Sequence, residues 1–314
     1  MFDLLVVFGV AFLFIQIIRI LLSGCDLHLQ WYCKFGETPA SLKGKVVWIT
    51  GASSGIGEEL AYKLSSVGCK LILSARREDR LKQVKDLCLK QYSGIGTEDI
   101  FILPLDLLDF GSHANAVEVV FKKIDVLVNN AGRSQRALWE KTSLEVDKAM
   151  LNVNVLGLLS LTKCILPEMI KQNYGRIVIT CRAPGLGSYS GSKHALHGWF
   201  EALRIEGYNY NIDVTMVCPG PVFSEALLHA FTESGEKTLG VEMKPTEKRM
   251  TAERCAYLMS IAMENDLDEV WLSGNPELLF LYLYQYFPTI TRRLGRRIGA
   301  KRVKKLQSGM TNLH

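Results

Sequence analysis

No Cys-x-x-Cys pair occurs among the eight cysteines. Metal sites assembled from sequence-local donors need such pairs, so no metal ion is expected. Cys69, Cys88, Cys164 and Cys218 fall in or beside expected helices and strands, where a thiol packs as a small apolar group. No Asn-x-Ser/Thr sequon is present, so glycosylation says nothing about compartment. No internal repeat or long low-complexity tract is visible, which argues against solenoid and fibrous architectures. Acids are missing altogether after Glu277, while eight bases follow: Arg292, Arg293, Arg296, Arg297, Lys301, Arg302, Lys304 and Lys305. The net charge of +5 therefore belongs to the tail, and the remainder is slightly acidic. A basic balance of that origin does not point to nucleic acid.

What is present is a globular composition with extra apolar content, 48% hydrophobic and 22% charged over 314 residues. That length allows one large domain or two small ones. Part of the excess lies in Leu4 to Leu22, nearly all apolar. As a helix this run would be about 28 Å long, close to the hydrocarbon thickness of a bilayer. Arg19 near its end can snorkel to headgroups. A cleaved signal peptide is the rival reading, but it wants positive charge before the apolar run, and Asp3 stands there. An uncleaved membrane anchor over residues 1–23 is expected, followed by a connecting segment at 24–44. Arg19 and Lys34 would place the body in the cytosol by the positive-inside rule, and two charges leave the orientation open. At the other end, Leu278 to Phe287 is rich in Leu, Phe and Tyr, is interrupted by Pro288, and leads into the basic tail. This 276–314 extension reads either as a surface that lies on anionic lipid or as an ordinary packed helix with a solvated end.

Between these ends the chain alternates strand and helix. Strands are expected at Val46–Thr50, Lys70–Ser74, Ile100–Pro104, Asp125–Val128, Arg176–Thr180, Asp213–Val217 and Glu269–Leu272. Such alternation specifies an α/β fold, a doubly wound parallel sheet covered on both faces, over residues 45–275. Directly after the first apolar strand comes Thr50-Gly51-Ala52-Ser53-Ser54-Gly55-Ile56-Gly57. Glycines let the backbone pass close to a pyrophosphate, and free amides at the following helix start point at it. NAD enzymes place an acid at the end of the second strand to bind the ribose hydroxyls. Here Arg76 and Arg77 stand there, with no acid before Glu78. A guanidinium at Arg76 can pair with a 2′-phosphate, with Arg77 assisting, so NADP is the expected cofactor.

Two further motifs follow, Asn129-Asn130-Ala131-Gly132 and Tyr189-Ser190-Gly191-Ser192-Lys193. With the glycine loop, in this order and at these distances, the chain resembles the short-chain dehydrogenase/reductase family from about Lys45 to Trp271. The resemblance implies that Asp106 meets the adenine and that Asn129 braces the central strands beside the cofactor. It also implies that Pro219, Gly220 and Val222 border the nicotinamide, with Ser224 close by. Tyr189 would be the acid/base, Lys193 its partner and ribose ligand, and Asn154 the relay residue, with Asn152 as the alternative assignment. Tyr189 and Lys193 are four residues apart, so on a helix they share one face. An ammonium nearby would lower the tyrosine pKa from about 10 toward neutrality. The implied substrate is a hydrophobic small molecule, a steroid, retinoid or lipid-derived carbonyl or alcohol, drawn from membrane lipid at the endoplasmic reticulum. A homodimer paired through long helices is implied as well.

One catalytic part of the family pattern is missing. The family's serine follows the fifth strand and hydrogen-bonds the substrate oxygen. Aligned from the strand, Arg182 occupies its place; aligned from Tyr189, Ala183-Pro184 fits, and several residues are absent between the two anchors. Thr180, Ser188 and Ser190 are the only nearby substitutes, and losing a donor to a developing oxyanion costs about 100- to 1000-fold. The helix between Asp109 and Ile124 is also about one turn short for the family. A catalytically impaired NADP-binding protein is therefore the alternative reading.

Overall fold

The computed structural model describes residues 2–120, 123–181, 187–235, 237–244, 246–296 and 299. It divides into two units, residues 25–272 and the two ends, 1–24 with 273–314.

The larger unit is built on seven strands: β1 (Val46–Thr50), β2 (Lys70–Ala75), β3 (Ile100–Pro104), β4 (Val126–Asn129), β5 (Gly175–Thr180), β6 (Ile212–Pro219) and β7 (Glu269–Leu272). All pair in parallel in the order β3-β2-β1-β4-β5-β6-β7. This is the expected doubly wound fold, and the strand boundaries differ from expectation only by a residue or two at β2, β4, β5 and β6. β1, β4 and β5 are buried along their whole length, which is why β1, β4 and residues 177–179 of β5 read as apolar runs rather than alternating ones. The order reverses between β1 and β4. Ligands of open α/β sheets bind at that switch point, outside the carboxyl ends of the strands.

In chain order the helices are α1 (Phe2–Leu22), α2 (Leu27–Phe35), α3 (Gly55–Ser66), α4 (Glu78–Gln91), α5 (Ser112–Val119), α6 (Leu144–Leu151), α7 (Gly157–Lys171), α8 (Gly187–Gly207), α9 (Ala252–Glu264) and α10 (Glu277–Tyr286). One face of the sheet buries Leu60 and Leu64 of α3 with Cys255, Leu258 and Met259 of α9. The other buries Leu158, Leu161 and Ile165 of α7 with Leu196 and Phe200 of α8. α5 has only two turns, in keeping with the shortening read from the sequence.

The segment at 24–44, expected merely to connect, is from Cys25 onward part of this unit. The Asp26 carboxylate caps α2 by accepting from Leu29 N at 2.9 Å, and it also accepts from Trp271 N. Leu29 is fully buried, and Asn265 exchanges hydrogen bonds with the Glu37 backbone. These partners lie more than 220 residues apart in sequence, so no local pattern announces them.

The end unit contains α1 and α10, with residues 288–296 also helical. α1 presents Val6, Val7, Phe8, Val10, Phe12 and Phe14 as exposed side chains. The basic tail beyond Arg296 lies outside the described residues, apart from Gly299. Among the described residues, the one helical stretch long and apolar enough to cross a membrane is Leu144–Lys171, while the N-terminal run counts only as a shorter apolar helix, Val6–Gln16. Leu144–Lys171 forms α6, a π turn and α7, and α7 supplies core side chains to the sheet, so it is a core helix instead.

Candidate active site

Gly51 and Gly55 have φ of 69° and 62°, a left-handed backbone that side chains disfavour. A Cβ at Gly57 would sit 2.3 Å from the Gly51 carbonyl and 2.7 Å from Asn130 Nδ2. Thr50, at the end of β1, donates from Oγ1 to the Val128 carbonyl at 3.0 Å and accepts from the amides of Asn130 and Ala131, both at 3.1 Å. Asn130 Nδ2 donates to the Thr50 carbonyl at 3.1 Å. The turn is thus clamped to the end of β4. Asn130 holds this clamp. Asn129 works on the far side, donating to Thr162 Oγ1 at 2.9 Å and accepting from Thr180 Oγ1 at 3.2 Å. Ser54, the N-cap residue of α3, makes no side-chain cap hydrogen bond. The first amides of α3, with Ser53 and Ile56 beside them, are what a phosphate would meet.

Arg77, expected only to assist, is the arginine that reaches this loop. Its Nη2 donates to Ser53 Oγ at 3.4 Å and pairs with Glu225 at 3.0 Å. Arg80 also approaches Glu225, at 3.6 Å. Arg76 is exposed, and its charge is felt by Arg133. The segment after β6 therefore covers the phosphate turn. Ser224 caps the short helix Glu225–Leu227, and its Cβ would lie 3.1 Å from a Cβ placed on Gly55. Gly220 N donates to the Leu272 carbonyl at 2.8 Å, and Val222 bridges to Met250, which hold Pro219 to Val222 at the sheet edge. Asp106 follows β3 and accepts from Leu108 N at 3.0 Å, so its carboxylate is fixed beside the same sheet end.

Glu225 occupies the Arg77 guanidinium that a 2′-phosphate would use. Glu225→Gln is therefore expected to tighten NADPH binding about two- to fivefold at low salt, the worth of an exposed ion pair. Fluorescence titration checks it, and an unchanged or weaker affinity would remove Glu225 from the cofactor site.

Asn154 sits in the π turn between α6 and α7. π turns re-aim single side chains and recur at functional sites. Its Oδ1 accepts from Arg133 N at 2.7 Å, and its Nδ2 donates to the Arg133 carbonyl at 2.9 Å and to Ser192 Oγ at 3.0 Å. Asn152 opens the same turn and is not buried. Lys193 is buried, and its Nζ donates to the Thr180 carbonyl at 2.7 Å. A Cβ on Gly132 would lie 3.1 Å from Asn154 Oδ1 and 3.4 Å from Lys193 Nζ, so these two groups flank one glycine. Tyr189 is half-buried one helical turn before Lys193, against Val146, Met150 and Phe231.

The electrostatics correct one expectation. Tyr189 is not held down by Lys193: burial raises its pKa above the ordinary 10, and the cation that offsets this is Arg136. The packed ring has lost water, while the lysine chain runs to the end of β5. Burial in turn holds Lys193 down to about 8 from 10.5, against the opposing pull of Cys181 and Cys218. The unfolded chain therefore binds more protons than the folded one between those values. Lys193 should make the fold more stable as pH rises through that window, by at most ~1.4 kcal/mol per pH unit. Urea titrations of wild type and Lys193→Met, at about pH 7.5 and about pH 10, should show the difference moving in favour of wild type.

Of the substitutes for the missing serine, Thr180 is committed: its hydroxyl faces the Asn129 and Asn130 carbonyls at 3.2 and 3.3 Å. Arg182, Ala183 and Pro184, where the serine position falls, lie outside the described residues.

A parallel doubly wound sheet with a glycine turn at its switch point, and a Tyr–Lys pair beside a π-turn asparagine, defines a dinucleotide-binding α/β enzyme scaffold. The short chain dehydrogenase family model matches residues 45–234, and the chain belongs to that family. It is 45% identical over 318 residues to "Dehydrogenase/reductase SDR family member 7" of Homo sapiens, covering 98% of this chain and 93% of that protein. The Mus musculus counterpart is 44% identical, over 94% of this chain and 90% of its own length. Among solved structures, the alcohol dehydrogenase of Thermococcus sibiricus complexed with 5-hydroxy-NADP is 27% identical, with a TM-score of 0.63. That match covers 74% of this chain and 97% of the other. The chain is thus an oxidoreductase of the short-chain type.

Proposed function

We propose that this protein is a membrane-anchored, NADP(H)-dependent oxidoreductase that interconverts hydrophobic carbonyls and secondary alcohols of steroid, retinoid or lipid type. The observation that carries the cofactor choice is Arg77 set against Ser53 of the glycine turn, at a strand end that offers no acid. The turn fits a dinucleotide, because at Gly51, Gly55 and Gly57 a side chain would meet backbone or the covering segment. When bound, the nicotinamide supplies or accepts the hydride. The chain's own residues manage the proton. Tyr189, kept protonated by burial, donates to the developing alkoxide in the reducing direction. Lys193 and Asn154, on either side of Gly132, hold the ribose side of the site and the relay. The exposed apolar side chains of α1 support the anchor; the reading sets it in the endoplasmic reticulum membrane, with membrane lipid as the source of substrate. Pairing of two copies through long helices completes the reading.

A specific observation favours the second reading, an NADP-binding protein of impaired catalysis. The Thr180 hydroxyl is taken up by two carbonyls and cannot replace the serine. Both readings are tested by purified full-length protein in lipid nanodiscs, assayed by NADPH absorbance with retinal, steroid ketones and lipid aldehydes. Turnover that disappears in Tyr189→Phe supports the first reading. Tight NADPH binding with no turnover of any carbonyl supports the second, and failure to bind NADPH overturns both.

A further inference from the structure

Three donor atoms that lie far apart in sequence meet beside the end of β5. Cys181 follows β5 directly, and its amide donates to the Val217 carbonyl at 2.8 Å, continuing the β5–β6 ladder by one residue. That register sets Cys181 opposite Cys218 of β6. His197 lies on α8 one turn after Lys193 and turns Nε2 to 3.9 Å from Cys218 Sγ. The ligand atoms of Cys181, His197 and Cys218 all lie within 4.8 Å of one another. Both cysteines are 3% exposed.

We propose that Cys181, His197 and Cys218 form a binding site for a zinc-class ion that ties the end of β5 to β6 and α8. Around tetrahedral zinc, with Zn–S near 2.3 Å and Zn–N near 2.0–2.1 Å, donor atoms stand about 3.6–3.8 Å apart. The Cys218–His197 separation already approaches that value, and small side-chain rotations close the rest. Two thiolates and an imidazole are soft donors, which select zinc and its relatives over magnesium or calcium. The surroundings supply the second partner that metal-bound histidines usually carry. His197 Nδ1 lies 3.8 Å from Glu269 Oε2, a small rotation short of a hydrogen bond, and Glu269 Oε1 lies 3.9 Å from Cys218 Sγ. Trp271 Nε1 donates to Glu269 Oε1 at 2.5 Å and holds that carboxylate in place. Both cysteines bind as thiolates, so binding releases only the thiol protons still held and leaves the metal's oxidation state unchanged, and no oxidant or reductant is needed. The bound ion would fix Cys181, the neighbour of Thr180, whose carbonyl receives Lys193. The proposal rests on the donor set alone and is independent of whether the chain turns over a carbonyl.

The test is cobalt(II) titration of the full-length protein, stripped with chelator under reducing conditions. One equivalent should bind with sulfur-to-cobalt charge-transfer bands and tetrahedral d–d bands, and zinc should displace it. Cys218→Ser and Cys181→Ser should each weaken the charge-transfer bands, whereas Cys255→Ser, on α9, should leave them unchanged. Glu269→Gln should keep the bands but loosen affinity about 10- to 100-fold. Circular dichroism establishes that each variant is folded. Should a cysteine variant not fold, the wild type still decides: bound zinc must protect two thiols from a disulfide reagent. Absence of thiolate bands in folded wild-type protein, or bands that survive both cysteine substitutions, overturns the proposal. So does a Cys181–Cys218 disulfide that forms in preference to metal binding when zinc and air are both present.

Discussion

Tyr189→Phe is expected to lower kcat about 10²- to 10⁴-fold, the range over which a positioned general acid accelerates proton transfer. NADPH affinity should stay within about twofold, because in the proposed mechanism the lost hydroxyl serves the substrate rather than the phosphates. Phe preserves the ring that packs against Val146, Met150 and Phe231, so the fold should not report the change. The raised Tyr189 pKa sets the pH behaviour. The phenol stays protonated beyond the ordinary tyrosine value, so carbonyl reduction should hold through neutral pH while alcohol oxidation, which needs the phenolate, should climb into the alkaline range. Steady-state NADPH absorbance in both directions measures this. Turnover that persists in Tyr189→Phe would remove the tyrosine from the chemistry altogether.

Gly57→Ala is the second large effect. The new methyl would stand 2.3 Å from the Gly51 carbonyl and 2.7 Å from Asn130 Nδ2. Backbone cannot yield at such distances without the phosphate turn opening. Strain of about 1–3 kcal/mol placed in the cradle should weaken NADPH binding roughly 10- to 100-fold. Gly198→Ala is the matched control. It lies inside α8 with nothing within 4 Å of the added carbon, and should stabilise the protein by up to about 1 kcal/mol without touching affinity. Isothermal titration of NADPH into both variants decides the matter. Wild-type affinity in Gly57→Ala would mean that the turn is not the cradle.

The parts that were legible in the sequence are those whose physics is local. Buried parallel strands must be apolar throughout, so β1 and β4 announced themselves. A phosphate turn needs glycine at particular backbone angles, and Gly51 and Gly55 adopt them. Tyr189 and Lys193 share a helix face because of their spacing. What sequence reading missed depends on partners brought from afar. Asn130 clamps Thr50 and Gly51 across two strands, and Glu225 closes on Arg77 from 148 residues away. Arg136 acts on Tyr189 across more than fifty residues. The residues after Gly24 looked like a connector because their anchors, Asn265 and Trp271, lie at the opposite end of the domain.

The amino-acid order alone determined the alternation that specifies a doubly wound sheet, the anion-binding turn, the Tyr–Lys pair and the apolar N-terminal run. Each follows from hydrophobic periodicity or backbone geometry within a few residues. Only the tertiary structure decided which arginine faces the phosphate turn and where the lysine places its charge. It alone also brought Cys181, His197 and Cys218 within reach of one another. These are contacts between strand ends and crossover helices, and a chain's linear spacing carries no distance across a sheet.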